Sequence, residues 1–297
     1  MFKGVGTALI TPFKENGEVD YELFEKLLDY QLENDIDALV VLGTTGESPT
    51  VHLEEREELT KMAVAKADGD VPVIVGTGTN DTIKVIEMNK LAEKNGADGL
   101  LIVTPYYNKT SQAGLIDHYT HIAKETELPI IAYNVPSRTG VNIEPETFKK
   151  MSEMEDNIVA IKEASGDMSQ ILNVIEIAGS DKTVLSGNDD QALPLMMSGG
   201  QGVISVFSNL MPGVMKKITS DILAEDYQAA RDLHYKYLNL MRLIFIDVNP
   251  IPIKFAMQQI GLANNNLRRP LVNLSKADQE LLLSEMKELD IVWNMEL

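Results

Sequence analysis

Short apolar runs alternate with amphipathic stretches along the first three quarters of the chain. Eight runs rich in Val, Ile and Leu are predicted strands, at residues 5–10, 38–42, 71–75, 99–103, 129–133, 158–162, 183–186 and 202–206. They lack strict alternation of apolar and polar residues, which is typical of parallel strands buried on both faces. Between them, apolar residues recur at helical spacing, as at Leu23, Leu27 and Leu28 behind Asp20.

Eight strand-then-helix units predict an α/β fold, a (β/α)8 TIM barrel. A doubly wound open sheet is the alternative, and it usually has a glycine-rich phosphate-binding loop after its first strand. The sequence has only fragments of that loop, at residues 4–6 and 76–78, and it has no G-x-x-x-x-G-K-[ST] motif. A P-loop nucleotide enzyme is therefore excluded.

From about residue 225 the pattern changes to helices alone, predicted at residues 227–245, 253–260 and 276–289. Asn249-Pro250-Ile251-Pro252 separates the first from the second. We predict two domains, a barrel of residues 1–224 that carries the active site and a C-terminal helical domain of residues 225–297. Because no low-complexity linker joins them, the helices are expected to pack on the barrel as an appendage.

Composition narrows the possible partners. The net charge of −19 argues against nucleic acid, which is held largely by Lys and Arg on phosphates, and against anionic membrane surfaces. No apolar run approaches a membrane span, and the first residues lack the pattern of a signal peptide. The chain has no cysteine, which excludes thiolate metal sites and cysteine nucleophiles. We expect a cytoplasmic protein.

Polar residues gather at the predicted carboxyl ends of the strands, where loops build the active site of a barrel. They lie at residues 43–48, 104–108, 133–140, 162 and 186–189. Lys162 ends the sixth strand and can be either a Schiff-base lysine or an ordinary salt-bridged one. Loop 43–48 suits a small carboxylate, but it can equally be a glycine-rich turn with capping threonines.

The same loops contain no histidine, which makes a metal-dependent aldolase less favoured than an imine-forming one. His118 and His121 lie three residues apart on a predicted helix, without an H-E-x-x-H motif. Pyridoxal phosphate also forms a lysine imine, but it needs a phosphate cradle that the sequence does not contain. We therefore expect neither a cofactor nor a metal. Arg138, in a loop, can clamp a carboxylate with its two-pronged guanidinium.

Four motifs, in this order, resemble those of the pyruvate-dependent class I aldolase superfamily and, within it, the dihydrodipicolinate synthase family: Gly43-Thr44-Thr45-Gly46-Glu47, Tyr106-Tyr107, Tyr133-Asn134-Val135-Pro136-Ser137-Arg138-Thr139-Gly140 and Ile161-Lys162-Glu163-Ala164. The resemblance covers nearly the whole chain. It implies a lyase that condenses pyruvate with L-aspartate 4-semialdehyde through a Schiff base. The product would be 4-hydroxy-tetrahydrodipicolinate, at the entry to diaminopimelate and lysine biosynthesis.

The resemblance also implies roles for four catalytic residues. Lys162 would form the imine with pyruvate, and Tyr133 would shuttle protons during imine formation and addition. Thr44 would link Tyr133 to Tyr107, and the family places that last tyrosine in the site of a neighbouring subunit. The chain would therefore form a homo-oligomer, a tight dimer that most often pairs into a tetramer.

Four further residues would bind substrate in this family. The hydroxyl and backbone N–H of Thr45 would hold the carboxylate of pyruvate, and Arg138 would hold the carboxylate of aspartate semialdehyde. Gly187 and Ile204 would complete the pocket wall through backbone groups.

Relatives within the superfamily are the main alternative, because sialic acid lyases and sugar-acid aldolases keep the lysine and the tyrosine. The double threonine of Thr44 and Thr45 favours the synthase, as does Arg138, because the semialdehyde carries a carboxylate near its aldehyde. An alternative of another class is a non-catalytic barrel that binds keto acids as a sensor or scaffold.

One region departs from the feedback-regulated members of the family. Their lysine effector site lies at the tight dimer interface, at positions that match Ser48, Pro49, Leu53, Arg56, Asn80, Lys84 and Tyr106. Sensitive members have histidine or glutamate where this chain has Leu53, Arg56 and Lys84. We therefore expect L-lysine not to inhibit this protein.

Overall fold

Eight parallel strands close into a barrel in chain order in the computed structural model, which describes residues 2–291. The strands are β1 (Gly4–Ala8), β2 (Ala38–Val41), β3 (Val73–Gly76), β4 (Gly99–Val103), β5 (Ile130–Asn134), β6 (Ile158–Glu163), β7 (Thr183–Ser186) and β8 (Gly202–Ser205). Closure comes from the pairing of β1 with β8, in which Val5 lies opposite Val203. The predicted TIM barrel is confirmed, and the open sheet is wrong.

Strand ends differ from the prediction by a few residues, and side chains explain two of the differences. β1 ends at Ala8 because the backbone N–H of Ile10 donates to the Asn209 side chain, 3.1 Å away, instead of to a strand. β3 begins at Val73 rather than at residue 71, since Pro72 has no N–H to donate.

Helices surround the barrel, with α5 and α8 reduced to one or two turns. They are α1 (Tyr21–Leu32), α2 (Leu53–Ala67), α3 (Thr82–Lys94), α4 (Gln112–Ala123), α5 (Pro136–Thr139), α6 (Pro145–Met154), α7 (Met168–Ala178), α8 (Ala192–Met197) and α9 (Pro212–Leu223). The larger apolar core fills the layer between strands and helices. A smaller core fills the barrel interior and includes Leu101, Tyr133, Leu185 and Ile204.

Three more helices follow, as predicted: α10 (Tyr227–Leu243), α11 (Ile251–Gln259) and α12 (Lys276–Glu288). α11 begins two residues before the predicted start because Pro252 falls in its first turn, where a missing N–H costs no helical hydrogen bond. α10 packs on α9 and α12, so the appendage does contact the barrel. The domain boundary after residue 224 stays a prediction, and residues 292–297 lie outside the described part.

No helix within residues 2–291 combines the length and the apolar character needed to cross a membrane.

Candidate active site

Lys162 and Tyr133 lie side by side near the carboxyl ends of β6 and β5, in matched register. The amine of Lys162 lies 4.4 Å from the centroid of the Tyr133 ring. The lysine is 5% exposed, and none of the ion pairs found within residues 2–291 includes it. Within the described residues, the interpretation of Lys162 as a salt-bridged lysine therefore has no support.

Gly187 lies beside Lys162, and Ile204 belongs to the same apolar cluster as Tyr133; their role as wall residues stays a prediction. A side chain at Gly187 would place its Cβ only 3.0 Å from Cε of Lys162, so glycine leaves room for the lysine. The N–H of Gly187 donates to the Glu163 carbonyl at 2.7 Å, which leaves the glycine carbonyl as the backbone group for a ligand. Ile204 is fully buried in the barrel interior with Tyr133.

The threonine loop after β2 is a tight turn. The N–H of Gly46 donates to the carbonyl of Gly43, and the N–H of Glu47 donates to the carbonyl of Thr44, both at 3.1 Å. Glu47 has a left-handed backbone, with φ of 53°. Thr45 is almost wholly buried, and its hydroxyl accepts a hydrogen bond of 3.0 Å from the side-chain amide of Asn249.

A cavity of about 460 Å³ opens beside these residues, and Thr44, Tyr133 and Arg138 all line it. Arg138 lies in α5, and its guanidinium donates to the backbone carbonyl of Asn249 at 3.3 Å. Lys162 is not among the lining residues and is next to the cavity through Tyr133. The hydrogen bonds found in residues 2–291 do not join the hydroxyls of Thr44 and Tyr133, so their predicted link stays a prediction.

Tyr107 is the one predicted catalytic residue that the fold of a single chain leaves outside this group. Its side chain is 93% exposed, and its backbone is left-handed, with φ of 70°. A large side chain in this conformation is uncommon. The loop is fixed on one side by Asn108, whose side-chain amide donates to the Asn80 carbonyl at 2.9 Å.

Asp189, the last residue of the predicted polar stretch 186–189, is a buried carboxylate to which the sequence analysis assigned no role. Its Oδ2 accepts the N–H groups of Val206 and Phe207, at 3.1 and 3.0 Å, and so fixes the loop after β8. Burial raises the pKa of Asp189, against the opposing effects of its hydrogen bonds and of the positive charge of Lys162.

Glu163 follows Lys162 in β6, and its buried side chain makes hydrogen bonds to neighbouring elements. Its carboxylate accepts from the amide of Asn134 at 3.0 Å, from the N–H of Ser165 at 2.7 Å and from the amide of Gln170 at 3.2 Å. These bonds tie β6 to β5 and to α7. Since side chains alternate along a strand, the network fixes the backbone from which Lys162 points inward.

The appendage reaches the threonine loop through a buried ion pair. Lys254 of α11 pairs with Glu47, and its amine also lies 4.2 Å from the centroid of the Phe13 ring. The second carboxylate oxygen of Glu47 accepts a hydrogen bond of 3.0 Å from the backbone N–H of Arg268. Burial lowers the pKa of Lys254 to about 8, although Glu47 opposes this. Glu47 was named from its motif, but its partner Lys254 was not predicted, because the pair joins residues far apart in the chain.

The histidines of α4 do not form a metal site in the described chain. No group of three or more potential ligands that could hold a metal ion occurs within residues 2–291. His118 is buried, and its Nδ1 lies 2.9 Å from the hydroxyl of Thr82. Burial lowers the pKa of His118 to about 4, so the imidazole is neutral at physiological pH.

Comparison with known proteins places this geometry in a family. The family model of the dihydrodipicolinate synthetase family matches residues 1–289. The 4-hydroxy-tetrahydrodipicolinate synthase of Alkaliphilus oremlandii is 48% identical over 292 residues, which are 98% of this chain and 100% of that protein. The crystal structure of dihydrodipicolinate synthase from Thermotoga maritima superposes with a TM-score of 0.96 at 49% identity, covering 98% of this chain and 99% of that one.

A second similar structure carries a ligand. It is the chloride-inhibited dihydrodipicolinate synthase from Acinetobacter baumannii in complex with pyruvate, with a TM-score of 0.96 and 39% identity, covering 98% of this chain and 100% of that one. The family predicted from the motifs is confirmed: the chain belongs to the dihydrodipicolinate synthetase family.

Proposed function

We propose that this chain condenses pyruvate with L-aspartate 4-semialdehyde through a Schiff base on Lys162, giving 4-hydroxy-tetrahydrodipicolinate. The activity itself, that of a 4-hydroxy-tetrahydrodipicolinate synthase of lysine biosynthesis, is confirmed by the full-length relatives. The observation that carries the mechanism is the buried Lys162 amine beside the Tyr133 ring. The Acinetobacter baumannii structure, which holds pyruvate, supports pyruvate as the first substrate.

The first half of the reaction is imine formation. The amine of Lys162, after it has lost its proton, attacks the keto carbon of pyruvate, and loss of water then leaves a C=N bond. Protons must move from the nitrogen and onto the departing oxygen. Lys162 contacts the ring of Tyr133, and we assign this transfer to the tyrosine hydroxyl. Loss of a proton from the pyruvate methyl group gives an enamine, whose carbon adds to the aldehyde. The amino group of the semialdehyde then attacks the imine carbon, which closes the ring and breaks the C–N bond to Lys162, so that the lysine amine is released.

Each substrate carries a carboxylate that must be held. Thr45 offers a hydroxyl and a backbone N–H from a turn with little freedom, and we assign it the carboxylate of pyruvate. Arg138 lines the open cavity beside Tyr133, and we assign it the carboxylate of the aldehyde substrate. Gly187 and Ile204 shape the wall around the imine.

We also propose that two chains share each pair of active sites. Tyr107 is nearly fully exposed and held in a left-handed conformation, so it is available to a neighbouring chain. In the partner, it would meet Thr44 at the cavity that also contains Tyr133, and it would complete a relay of three hydroxyls. The functional unit would then be a tight dimer.

A coupled assay with pyruvate and L-aspartate 4-semialdehyde tests the proposal. We expect turnover without added metal or cofactor, and no cleavage of sialic acid or sugar acids. Cleavage of those acids without turnover of the semialdehyde would instead favour the lyase alternative. A barrel that only binds keto acids would take up pyruvate but turn over neither.

A further inference from the structure

Asn249 contacts both of the residues to which the proposed function assigns a substrate carboxylate. It lies in the turn between α10 and α11, outside the barrel in sequence, and its side chain is 5% exposed. Its side-chain amide donates to the hydroxyl of Thr45 at 3.0 Å. Its backbone carbonyl accepts from the guanidinium of Arg138 at 3.3 Å. One residue of the appendage therefore bridges two separate loops of the barrel.

The bond to Thr45 determines what that hydroxyl can do next. A threonine hydroxyl has one proton to donate and two lone pairs that accept. Because the Asn249 amide donates to the oxygen, the hydroxyl proton is left free to point elsewhere. A ligand carboxylate accepts only, so a hydroxyl whose proton is free is the state that binds it.

The bond to Arg138 has a different origin. It involves the main chain of Asn249, so it depends on the path of the turn and not on the amide. It is the one hydrogen bond that the Arg138 side chain makes within residues 2–291. A guanidinium with a single neutral partner keeps its other donors for a ligand, while the bond to Asn249 limits where it can lie.

The turn itself is anchored close by. Lys254, in the first turn of α11, forms the buried ion pair with Glu47, which belongs to the same loop as Thr45. The N–H of Lys254 also donates to the carbonyl of Pro250 at 3.0 Å. The threonine loop and the start of α11 are thus held together at two points, one of which is Asn249.

We propose that Asn249 is a positioning residue for both carboxylate subsites. Its side chain directs the Thr45 hydroxyl toward pyruvate, and its backbone carbonyl sets the place of Arg138. This inference rests on the proposed function. The two contacts can be tested separately. A change of the Asn249 side chain removes the bond to Thr45 but keeps the backbone carbonyl that accepts from Arg138.

The test is a double-mutant cycle between Asn249→Ala and Thr45→Val. The readout is the pyruvate concentration that gives half-maximal borohydride trapping on the chain. Loss of one neutral hydrogen bond changes an equilibrium by about 2- to 12-fold. We expect Asn249→Ala alone to raise the half-maximal pyruvate concentration by about 5- to 12-fold. In the Thr45→Val background, the same change should alter that concentration by less than about 2-fold.

Steady-state kinetics supply the second readout. The KM for pyruvate should rise in Asn249→Ala, whereas the KM for aspartate semialdehyde should stay within about 2-fold because the carbonyl to Arg138 remains. Asn264→Ala is the matched control. Its amide also joins the appendage to the barrel, through Asp20 at 3.0 Å, but touches no proposed site residue. We expect the control to leave both constants unchanged.

Three results would overturn the inference. They are an equal effect of Asn249→Ala with and without the Thr45 hydroxyl, an equal rise in both KM values, and the same rise in the Asn264→Ala control. If Asn249→Ala fails to fold, Asn249→Leu keeps the buried volume without a donor and takes its place in the cycle. The proposed function fails separately, if the wild-type protein neither traps pyruvate on Lys162 nor turns over the semialdehyde.

Discussion

The amine of Lys162 lies over the ring of Tyr133, 4.4 Å from its centroid, because the two residues face each other in register on adjacent parallel strands. This relationship follows from the barrel itself. Parallel pairing places the carboxyl ends of β5 and β6 at the same edge, and side-chain alternation turns both residues toward the interior. The imine-forming group and its proposed proton carrier are therefore fixed by the sheet and not by flexible loops.

Arg138 is expected to select the second substrate and not the first. Arg138→Ala should raise the KM for aspartate semialdehyde about 10-fold or more, since a charge-assisted pair with a carboxylate contributes about 1.5–3 kcal/mol even though Arg138 is exposed in the single chain. Trapping of pyruvate on Lys162 should remain. The measurement is steady-state kinetics on both substrates, together with borohydride trapping. If trapping fell as far as turnover in a folded variant, Arg138 would belong to the pyruvate subsite instead.

Tyr107 provides a test of shared active sites. Tyr107→Phe and Lys162→Ala should each be nearly inactive alone and should regain part of the activity when mixed and allowed to exchange subunits. A hybrid dimer would contain one site with both wild-type residues. Exchange is followed separately, with differently tagged chains. If the subunits exchange but no activity returns, Tyr107 either acts in the active site of its own chain or takes no part in the reaction.

L-Lysine at millimolar concentration is expected to leave activity unchanged. Arg56 and Lys84 both line the cavity, with Ser48, Pro49 and Tyr106. Burial lowers the pKa of Arg56 to about 10, so it is still protonated at neutral pH. Two positive groups repel the ammonium of the effector, and like charges in contact can cost several kcal/mol.

An inhibition curve with L-lysine measures this directly. Half-maximal inhibition well below a millimolar would refute the charge argument. The complementary variant combines Lys84→Glu, Arg56→His and Leu53→His, and should move the protein toward sensitivity. Lys90→Glu, an exposed change on the same helix α3, is the matched control for the added negative charge.

His118 should make the fold sensitive to acid. Its pKa is about 4 in the folded chain against about 6.5 when unfolded, so between these values the unfolded chain binds a proton that the folded chain does not. Stability therefore falls as the pH drops through this window, by at most about 3 kcal/mol for this group. The contribution is absent above pH 6.5.

Urea unfolding at several pH values tests that linkage. His118→Gln should flatten the pH dependence between neutral pH and about pH 4, whatever its effect on stability at neutral pH. His121→Gln, on the exposed side of the same helix, serves as the control and should keep the wild-type slope. An unchanged slope in His118→Gln would mean that other groups govern acid unfolding.

The fold was predictable because buried parallel strands leave a strong local signal. All eight strands occur where apolar runs predicted them, and Lys162 ends its run next to the strand terminus. The errors lie at strand ends, where a distant side chain takes over a backbone bond, as Asn209 does for Ile10. Such a contact joins residues about two hundred positions apart, which periodicity cannot detect.

The site was predictable only where a motif carried it. Thr44, Tyr133 and Arg138 were named from their motifs and do line one cavity. Asn249 and Lys254 were missed as supports of the threonine loop, because their partners lie in another part of the chain. Tyr107 is the opposite case. Its motif predicts a catalytic role, but in a single chain its side chain is exposed and lies outside the group of site residues.

Trapping of the imine tests the central claim most directly. The protein is incubated with pyruvate and borohydride, without added metal or cofactor, and the modified peptide is mapped. We predict one reduced pyruvate adduct per chain, on Lys162, and none in Lys162→Ala. The Tyr133→Phe variant should form the same adduct more slowly, because its proton carrier is lost. An adduct on another lysine, or full protection by a metal chelator, would contradict the mechanism.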